Sequence, residues 1–195
     1  MKDLNDKIPA RLEHIEIATL DLGFDMPSER NTGALLRTLV ATKPSGSFLE
    51  IGTGTGLATA WLLDGMDMQS TLFSLDNDQA ALSVAQSYLS SDTRLTLVLV
   101  DGNQWLKDNQ SQSYDLIFAD SYPGKYENFD LAWNILKPGG IYVIDDMLPQ
   151  KNWPPGHDIK VKQLIDQLSL RVDMNYTWLD WTSGIIIATK LAEDK

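Results

Sequence analysis

Three glycines at alternating positions constrain the fold of this chain more than any other segment. Residues 48–51, which are apolar except for Glu50, lead into Gly52, Gly54 and Gly56, and an amphipathic run over residues 57–63 follows. This order predicts a strand, a glycine turn and a helix. Glycine has no Cβ, so such a turn can reverse tightly and let a ligand approach the backbone. The segment therefore predicts a cradle for a nucleotide-type cofactor, with a ligand-free glycine turn as the alternative.

The spacing of these glycines bears on the class of cofactor. The dinucleotide pattern Gly-x-Gly-x-x-Gly requires a glycine at position 57, where this chain has Leu57. The segment 50–56 instead has the form Glu-x-Gly-x-Gly-x-Gly, which resembles the first motif of class I S-adenosylmethionine (SAM)-dependent methyltransferases. A nucleotide-dependent oxidoreductase stays open as the alternative. The residues that the resemblance assigns to SAM binding here are Glu50, Gly52, Thr53, Gly54 and Gly56.

Apolar β-type runs alternate with helical patterns, which predicts a mostly parallel sheet covered on both faces. Strands are predicted at 47–51, 71–75, 95–100, 115–119, 140–144, 171–178 and 184–189. Helices are predicted at 10–22, 29–42, 57–65, 78–90, 102–108, 127–136 and 158–168. The last two strands have no helix between them and should pair as an antiparallel hairpin.

This arrangement resembles the Rossmann-like α/β sheet of class I methyltransferases, whose seven strands have the order 3-2-1-4-5-7-6 with the last strand antiparallel. We expect a single domain over residues 1–195. Its N-terminal helices would occupy residues 1–45, and the cofactor-binding sheet would occupy residues 46–190.

Composition excludes several classes of partner. The formal net charge is −11, so a phosphate backbone would be repelled on average and no nucleic-acid partner is expected. No apolar run is long enough for a membrane helix, and the N-terminus lacks a signal-type apolar segment. Cysteine is absent, which fits a reducing compartment. We therefore expect a cytoplasmic protein with a small-molecule substrate and no membrane partner.

Acidic residues follow the second and third predicted strands. Asp76 ends the second strand, where a carboxylate can accept hydrogen bonds from both hydroxyls of a ribose, and Asn77 is expected beside it. Asp101 and Gly102 follow the third strand, where the resemblance implies contact with the adenine edge. Each aspartate has the same alternative, which is to cap the N-terminus of the following helix.

The fourth strand also ends in an acid, Asp120, and residues 136–140 form a Leu-Lys-Pro-Gly-Gly turn before the next strand. Together these features closely resemble class I methyltransferases. Within that class the chain is most similar to small O-methyltransferases of the catechol and caffeoyl-coenzyme-A type, whose helix before the first motif resembles residues 28–36. Stretches of residues 145–157 also resemble a bacterial group described only as predicted O-methyltransferases.

The resemblance implies a metal site. Asp120, Asp145 and Asp146 fall where these enzymes carry the ligands of a divalent cation such as Mg²⁺, which would hold both oxygens of a vicinal diol. Relatives usually have Asp-Asn where this chain has Asp145-Asp146. Adjacent strand residues point to opposite faces, so the pair can converge only beyond the end of the strand. The alternative is one functional carboxylate and one that is solvated or capping.

Candidates for proton transfer and for stacking also follow the fourth and fifth strands. The family lysine would stand at Pro123, and Lys125 comes two positions later as a substitute. His157, in a proline-rich loop over residues 149–157, could act as a base near neutral pH or be an ordinary exposed loop or helix-start histidine. Tyr122 and Trp153 are candidates for stacking on adenine or on an aromatic acceptor, and the loop is expected to act as a lid.

The sequence thus predicts a SAM-dependent methyltransferase that methylates oxygen on a small molecule, with Asp120, Lys125 and His157 as the catalytic candidates. The rival hypotheses are a non-catalytic SAM-binding protein and an NAD(P)-dependent oxidoreductase. An RNA methyltransferase is disfavoured by charge. Trp178 and Trp181 flank the final hairpin turn and are expected to line the acceptor side or the surface of a homodimer.

Overall fold

A seven-stranded sheet forms the centre of the computed structural model, which describes residues 7–192. Its strands follow one another in space as β3-β2-β1-β4-β5-β7-β6, as predicted. The strands are β1 (Ser47–Ile51), β2 (Thr71–Asp76), β3 (Leu95–Leu99), β4 (Tyr114–Ala119), β5 (Leu136–Ile144), β6 (Met174–Leu179) and β7 (Ile185–Lys190).

Helices separate the strands in the chain up to β6. They are α1 (Leu12–Leu22), α2 (Arg30–Ala41), α3 (Leu57–Gly65), α4 (Gln79–Leu89), α5 (Gly102–Asp108), α6 (Phe129–Asn134) and α7 (His157–Ser169). Within residues 7–192, no helix combines the length and the apolar character needed to cross a membrane.

The first five strands pair in parallel, and β7 runs antiparallel to both of its neighbours, β5 and β6. This confirms the predicted hairpin at the end of the sheet. β1 lies between β2 and β4, so the strand order reverses there and leaves a crevice at the carboxyl ends of these strands. Open α/β sheets bind ligands at such a point.

Side chains alternate between two apolar layers along the central strands, as the two-residue period of a strand requires. In β4, Leu116 and Phe118 pack with helices α1 to α3, whereas Ile117 and Ala119 pack on the opposite face with α5, α6 and α7. The sheet is therefore covered on both sides, which fixes its strand ends as rigid supports for the loops that follow them.

The main difference from the sequence prediction lies before β5. The helix predicted over residues 127–136 ends at Asn134, and the strand predicted to begin at residue 140 begins at Leu136. The Pro-Gly-Gly segment at residues 138–140 is not a turn outside the sheet. It lies within β5 as an irregularity, because Tyr114 pairs with Leu136 while Leu116 pairs with Ile141. Proline lacks an N–H and therefore interrupts the ladder at this point.

Candidate active site

A cavity of about 360 Å³ lies at the carboxyl ends of β1, β2 and β4. It is the place where the glycine turn, the acid after β2 and the segment after β4 come together. Predicted site residues that line it are Gly52, Thr53, Gly54, Asp76, Asn77, Gly102, Asp120, Tyr122, Lys125, Asp146 and His157.

The glycine turn meets the cavity through its first two glycines. Gly52 has a φ of 103°, and a Cβ there would lie 2.7 Å from the backbone oxygen of Asp120. Gly54 has a φ of 52° and donates its N–H to Asp76 Oδ2 at 2.7 Å. Only glycine adopts both the backbone angle and the close approach at position 52 without strain. The turn is thus held open toward the cavity by the acid that follows β2.

Asp76 and its neighbour Asp78 divide two roles between them. Asp78 is the N-cap of α4, accepting hydrogen bonds from the backbone N–H groups of Ala80 and Ala81. Asp76 instead accepts from Gly54 and from the Asp78 N–H, and its side chain lines the cavity. Asp78, and not Asp76, therefore caps α4. The binding of a ribose by Asp76 stays a prediction.

Asp101 shows the opposite outcome. Its side chain accepts from the backbone N–H of Gln104 at 2.8 Å and caps α5, and it does not line the cavity. Gly102 and Val100 line the cavity instead. Asp101 thus caps a helix, as the alternative proposed. Contact between Asp101 and adenine stays a prediction that the lining of the cavity does not support.

Two residues of the first motif lie behind the cavity. Gly56 does not line it, and a Cβ at this position would lie 2.9 Å from the Cβ of Ala85 in α4. Glu50 is fully buried and accepts hydrogen bonds from the Thr59 and Ser74 hydroxyls, while its Oε1 has no partner among the described residues. Burial raises the pKa of Glu50 to about 7. Both residues support the turn from within rather than facing the cavity.

The three predicted metal ligands do not form one donor set. Beyond β5, Asp145 is 2% exposed, does not line the cavity, and accepts hydrogen bonds from the Ser183 hydroxyl and the Asp146 N–H. Asp146 has a φ of 55° and faces the cavity with Asp120. Across residues 7–192, no three His, Cys, Asp or Glu side chains are arranged to hold a metal ion. The prediction that the three aspartates converge is therefore wrong, because Ser183 and the backbone take the Asp145 carboxylate.

These carboxylates strongly affect one another's protonation. Burial, with the negative charges of Asp145 and Asp146, raises the pKa of Asp120 well above its usual value, although Ser28 donates a hydrogen bond to it at 3.1 Å. Burial raises the pKa of Asp145 to about 6. Asp120 and Asp145 therefore keep their protons to higher pH than free aspartates do.

Lys125 lies close enough to all three aspartates for their charges to act on it, without an ion pair to any of them. Burial lowers the pKa of its ammonium, and the charges of Asp120, Asp146 and Asp145 act in the opposite direction. Its Nζ donates to the Asp146 carbonyl oxygen at 3.5 Å and lies 4.8 Å from the centre of the Tyr126 ring. The side chain is buried and lines the cavity, so the two-residue shift from the family position does not remove it from the site.

His157 belongs to an aromatic cluster with Tyr122, Tyr126 and Trp153. Its Nε2 is 3.0 Å from the Tyr126 hydroxyl, its Nδ1 is 3.4 Å from the Tyr122 hydroxyl, and its ring centre is 4.4 Å from that of Trp153. Burial and the Lys125 charge lower the pKa of His157. The histidine is thus the first residue of α7, as the helix-start alternative had it, but it is buried rather than exposed.

The expected aromatic roles divide in the same way. Tyr122 lines the cavity, whereas Trp153 packs on His157 without lining it. Trp178 and Trp181 are 44% and 43% exposed and also lie outside the cavity lining. An acceptor-side position for the two exposed tryptophans therefore finds no support, and the homodimer surface stays a prediction.

Sequence reasoning missed two parts of the site. Tyr126 lines the cavity and pairs with His157; its signal was the position four residues after Tyr122, since both follow the same strand. The segment 24–28 between α1 and α2 also lines the cavity, and Asn152 donates to the Asp25 carbonyl oxygen at 2.8 Å. Nothing in that segment's composition marks it as part of a site.

The sequence matches known proteins over its central part. Residues 49–147 match the family described as a methyltransferase domain. A provisionally named O-methyltransferase of Mycobacterium sp. (strain JLS) is 30% identical over 117 residues, which cover 57% of this chain and 53% of that protein. The chain thus spans about half the length of the curated relatives it matches.

Solved structures extend the similarity to nearly the whole fold. An O-methyltransferase from Bacillus cereus in complex with SAH has a TM-score of 0.82 at 18% identity, with 96% of this chain and 94% of that chain covered. The O-methyltransferase TomG from Streptomyces achromogenes, in complex with SAM, has a TM-score of 0.82 at 20% identity, with 97% and 93% covered. At such identities the likeness establishes a shared fold.

Proposed function

Because this chain belongs to the methyltransferase domain family, we propose that its cavity binds SAM and that it transfers a methyl group to the oxygen of a small-molecule acceptor. The observation that carries the proposal is the joint position of the glycine turn and the Asp76 carboxylate on one cavity at the switch point of the sheet. Structures of similar fold hold SAM or its product S-adenosylhomocysteine (SAH), which supports this cofactor.

The residues that would hold the cofactor share a chemical logic. Asp76 accepts one backbone hydrogen bond on each carboxylate oxygen, and each oxygen keeps a further lone pair for a ribose hydroxyl. Gly52, Gly54 and Gly102 offer backbone that a ligand can approach closely. Acidic side chains on the cavity wall favour a cation over an anion, which suits a sulfonium.

Transfer needs an aligned oxygen and a group to take its proton. Bound SAM supplies a methyl group on a sulfonium sulfur; the acceptor oxygen forms the new O–C bond as the S–C bond breaks and its electron pair stays on sulfur. We assign the hydroxyl proton to His157 Nε2, reached through the Tyr126 hydroxyl that lines the cavity. Burial keeps this imidazole neutral near pH 7, which a proton acceptor requires.

A divalent cation in this cavity is supported only by the resemblance to catechol-type O-methyltransferases. The donor set does not fit it, because Asp145 is turned to Ser183 and a lysine lies among the carboxylates. The proposed reaction therefore contains no step through a metal. The expectations of a small-molecule acceptor, no nucleic-acid partner and a cytoplasmic location rest on charge and composition and remain proposals.

Calorimetric titration with SAH tests the cofactor assignment. Asp76→Asn keeps the side chain's shape but removes its charge, so we expect SAH binding to weaken by about 1–3 kcal/mol, the range for hydrogen bonds to a charged group. Asp166→Asn, on the exposed side of α7, serves as the matched control and should bind SAH as the wild type does. Equal affinity in the wild type and Asp76→Asn would remove Asp76 from the site.

The same titration, together with an assay of methyl transfer, separates the rival functions. An NAD(P)-dependent oxidoreductase would bind NADH or NADPH and not SAH. A non-catalytic binding protein would bind SAH but transfer no labelled methyl group from SAM to any hydroxylated acceptor. The absence of glycine at position 57 counts against the first rival.

A further inference from the structure

Lys125 is a buried ammonium with too few hydrogen-bond partners among the described residues. Its side chain is 3% exposed and lines the cavity. Its Nζ donates to the Asp146 carbonyl oxygen at 3.5 Å, and within residues 7–192 no carboxylate oxygen lies within 4.0 Å of it. An ammonium carries three N–H bonds, and a buried charge without partners is unfavourable. The arrangement therefore calls for a ligand oxygen at Nζ.

This ammonium lies among the aspartates that the family resemblance identifies as the ligands of a divalent cation. The charges of Asp120, Asp145 and Asp146 all act on Lys125. The rings of Tyr122 and Tyr126 line the same part of the cavity, and the Tyr126 ring centre is 4.8 Å from Nζ. A positive charge, two aromatic walls and an acidic surround thus come together at one place.

Resting on the function proposed above, we propose that the Lys125 ammonium takes the place of a divalent cation and donates a hydrogen bond to the acceptor oxygen. A divalent ion chelates two neighbouring oxygens, whereas an N–H bond points at one. The site therefore selects a lone hydroxyl on an aromatic ring, packed against the rings of Tyr122 and Tyr126, rather than a vicinal diol. The acceptor class is a simple phenol.

The competing explanation is that Lys125 only balances the three aspartates while a metal binds elsewhere in the cluster. Uptake of Mn²⁺, followed by electron paramagnetic resonance of the free ion, separates the two. We expect wild type and Asp120→Asn to take up Mn²⁺ equally, because the lysine already occupies the acidic group. Lys125→Met should bind Mn²⁺ at least about tenfold more tightly, since a repelling charge a few ångströms away is removed, and adding Asp120→Asn should reverse the gain.

Either of two results would overturn the proposal: an Asp120-dependent Mn²⁺ site in the wild type, or wild-type Mn²⁺ affinity in Lys125→Met. Thermal unfolding checks that the variants fold, and Lys125→Gln serves as a second neutral variant. Lys160→Met is the matched control, because Lys160 lies 5.0 Å from the Tyr122 ring centre but outside the cavity lining.

Binding of phenol to the SAH-loaded protein, measured by saturation-transfer NMR, tests the acceptor class. We expect phenol to bind the wild type and Lys160→Met alike and to bind Lys125→Met several-fold more weakly. Catechol with Mg²⁺ should bind no more tightly than phenol. No phenol binding to the wild type, or metal-dependent preference for catechol, would overturn the proposal. Failure of SAH to bind at all would instead overturn the proposed function, so the two failures are distinguishable.

Discussion

At the scale of single residues, Glu50 is an acid held in the interior with a pKa of about 7, against an ordinary value of 4.5. Between these two values the folded protein binds more protons than the unfolded chain, so Glu50 makes stability fall as pH rises through that window. Glu50→Gln keeps the acceptor oxygen for Thr59 and Ser74 but cannot ionise. We expect the variant to gain up to about 3 kcal/mol relative to wild type between pH 4 and pH 8.

Urea unfolding at several pH values measures this difference. Glu16→Gln in α1 is the matched control, because it removes a carboxylate whose ion pair with Arg30 is in contact with solvent. A stability difference between Glu50→Gln and wild type that stays constant from pH 4 to pH 8 would contradict the prediction.

His157 offers a second test at this scale, because the chain has only two histidines and their NMR signals can be separated. Burial and the Lys125 charge lower the pKa of His157 from its ordinary value of 6.5. We expect its imidazole to titrate below 6.5 and to titrate at higher pH in Lys125→Met, since the repelling cation is gone. His157→Gln assigns the signal. A midpoint that does not move in Lys125→Met would mean that the two side chains do not interact.

Asp76 and Asp101 show how far single residues can be interpreted from sequence. Each follows a strand and precedes a helix, so each was assigned the same two roles, ligand contact or helix cap. The structure separates them only because Asp78 is present to cap α4, which leaves Asp76 at the cavity, whereas Asp101 caps α5 itself. The local sequence shows that Asp78 is a second candidate cap beside Asp76, but which of the two carboxylates caps the helix depends on the backbone geometry.

At the scale of elements, Gly56 lies where the start of α3 packs against α4. Its φ is 93°, and a Cβ would lie 2.9 Å from Ala85 Cβ. Gly139 also has a positive φ, 74°, but no atom lies within 4 Å of its Cβ position. We expect Gly139→Ala to destabilise the protein by about 1–2 kcal/mol through backbone strain, and Gly56→Ala to add about 1–3 kcal/mol for overpacking.

Chemical unfolding of the two variants isolates the packing component, because the backbone strain is common to both. Equal losses would show that α3 and α4 can separate slightly at no cost, in which case Gly56 is required for its backbone angle alone.

Element boundaries were predictable where hydrophobic periodicity and turn chemistry agreed. The helices α3 and α5 have the predicted bounds because glycine turns or caps mark their starts. The start of β5 was misjudged because Pro-Gly-Gly ordinarily ends a helix, and only pairing with Tyr114 in β4 shows that Leu136 already belongs to the sheet. Such pairing is a long-range property that a sequence window does not contain.

At the scale of the whole molecule, two distant segments are tied together over the cavity. Asn152, in the loop before α7, donates to the Asp25 carbonyl oxygen at 2.8 Å, and Phe24 beside it packs near Gly54. We expect Asn152→Ala to speed amide exchange about fivefold in segments 23–29 and 149–157, the effect of losing one hydrogen bond of about 1 kcal/mol. Hydrogen exchange read by mass spectrometry measures this, with Asn175→Ala on the exposed β6 as control.

Adding SAH should slow exchange in both segments of the wild type if they close over a ligand. Faster exchange in one segment alone would indicate that the contact with Asp25 does not couple them. The alternation of strands and helices and the final hairpin were predictable from hydrophobic periodicity, whereas the order of the strands was predictable only from the resemblance to class I methyltransferases. The separation of Asp145 from Asp120 and Asp146 was not predictable, because it depends on Ser183, which comes from another part of the chain.

The strand order has a consequence for the synthesis of this protein. β7 lies between β5 and β6, so the outer edge of β5, which ends at Ile144, stays unpaired until the chain has been made through Lys190. At roughly 5–20 residues per second, the apolar edge of a nascent sheet waits several seconds for its neighbour. Unpaired edges invite pairing with other chains. A slower ribosome would lengthen that interval, and chaperone demand during translation should rise with it.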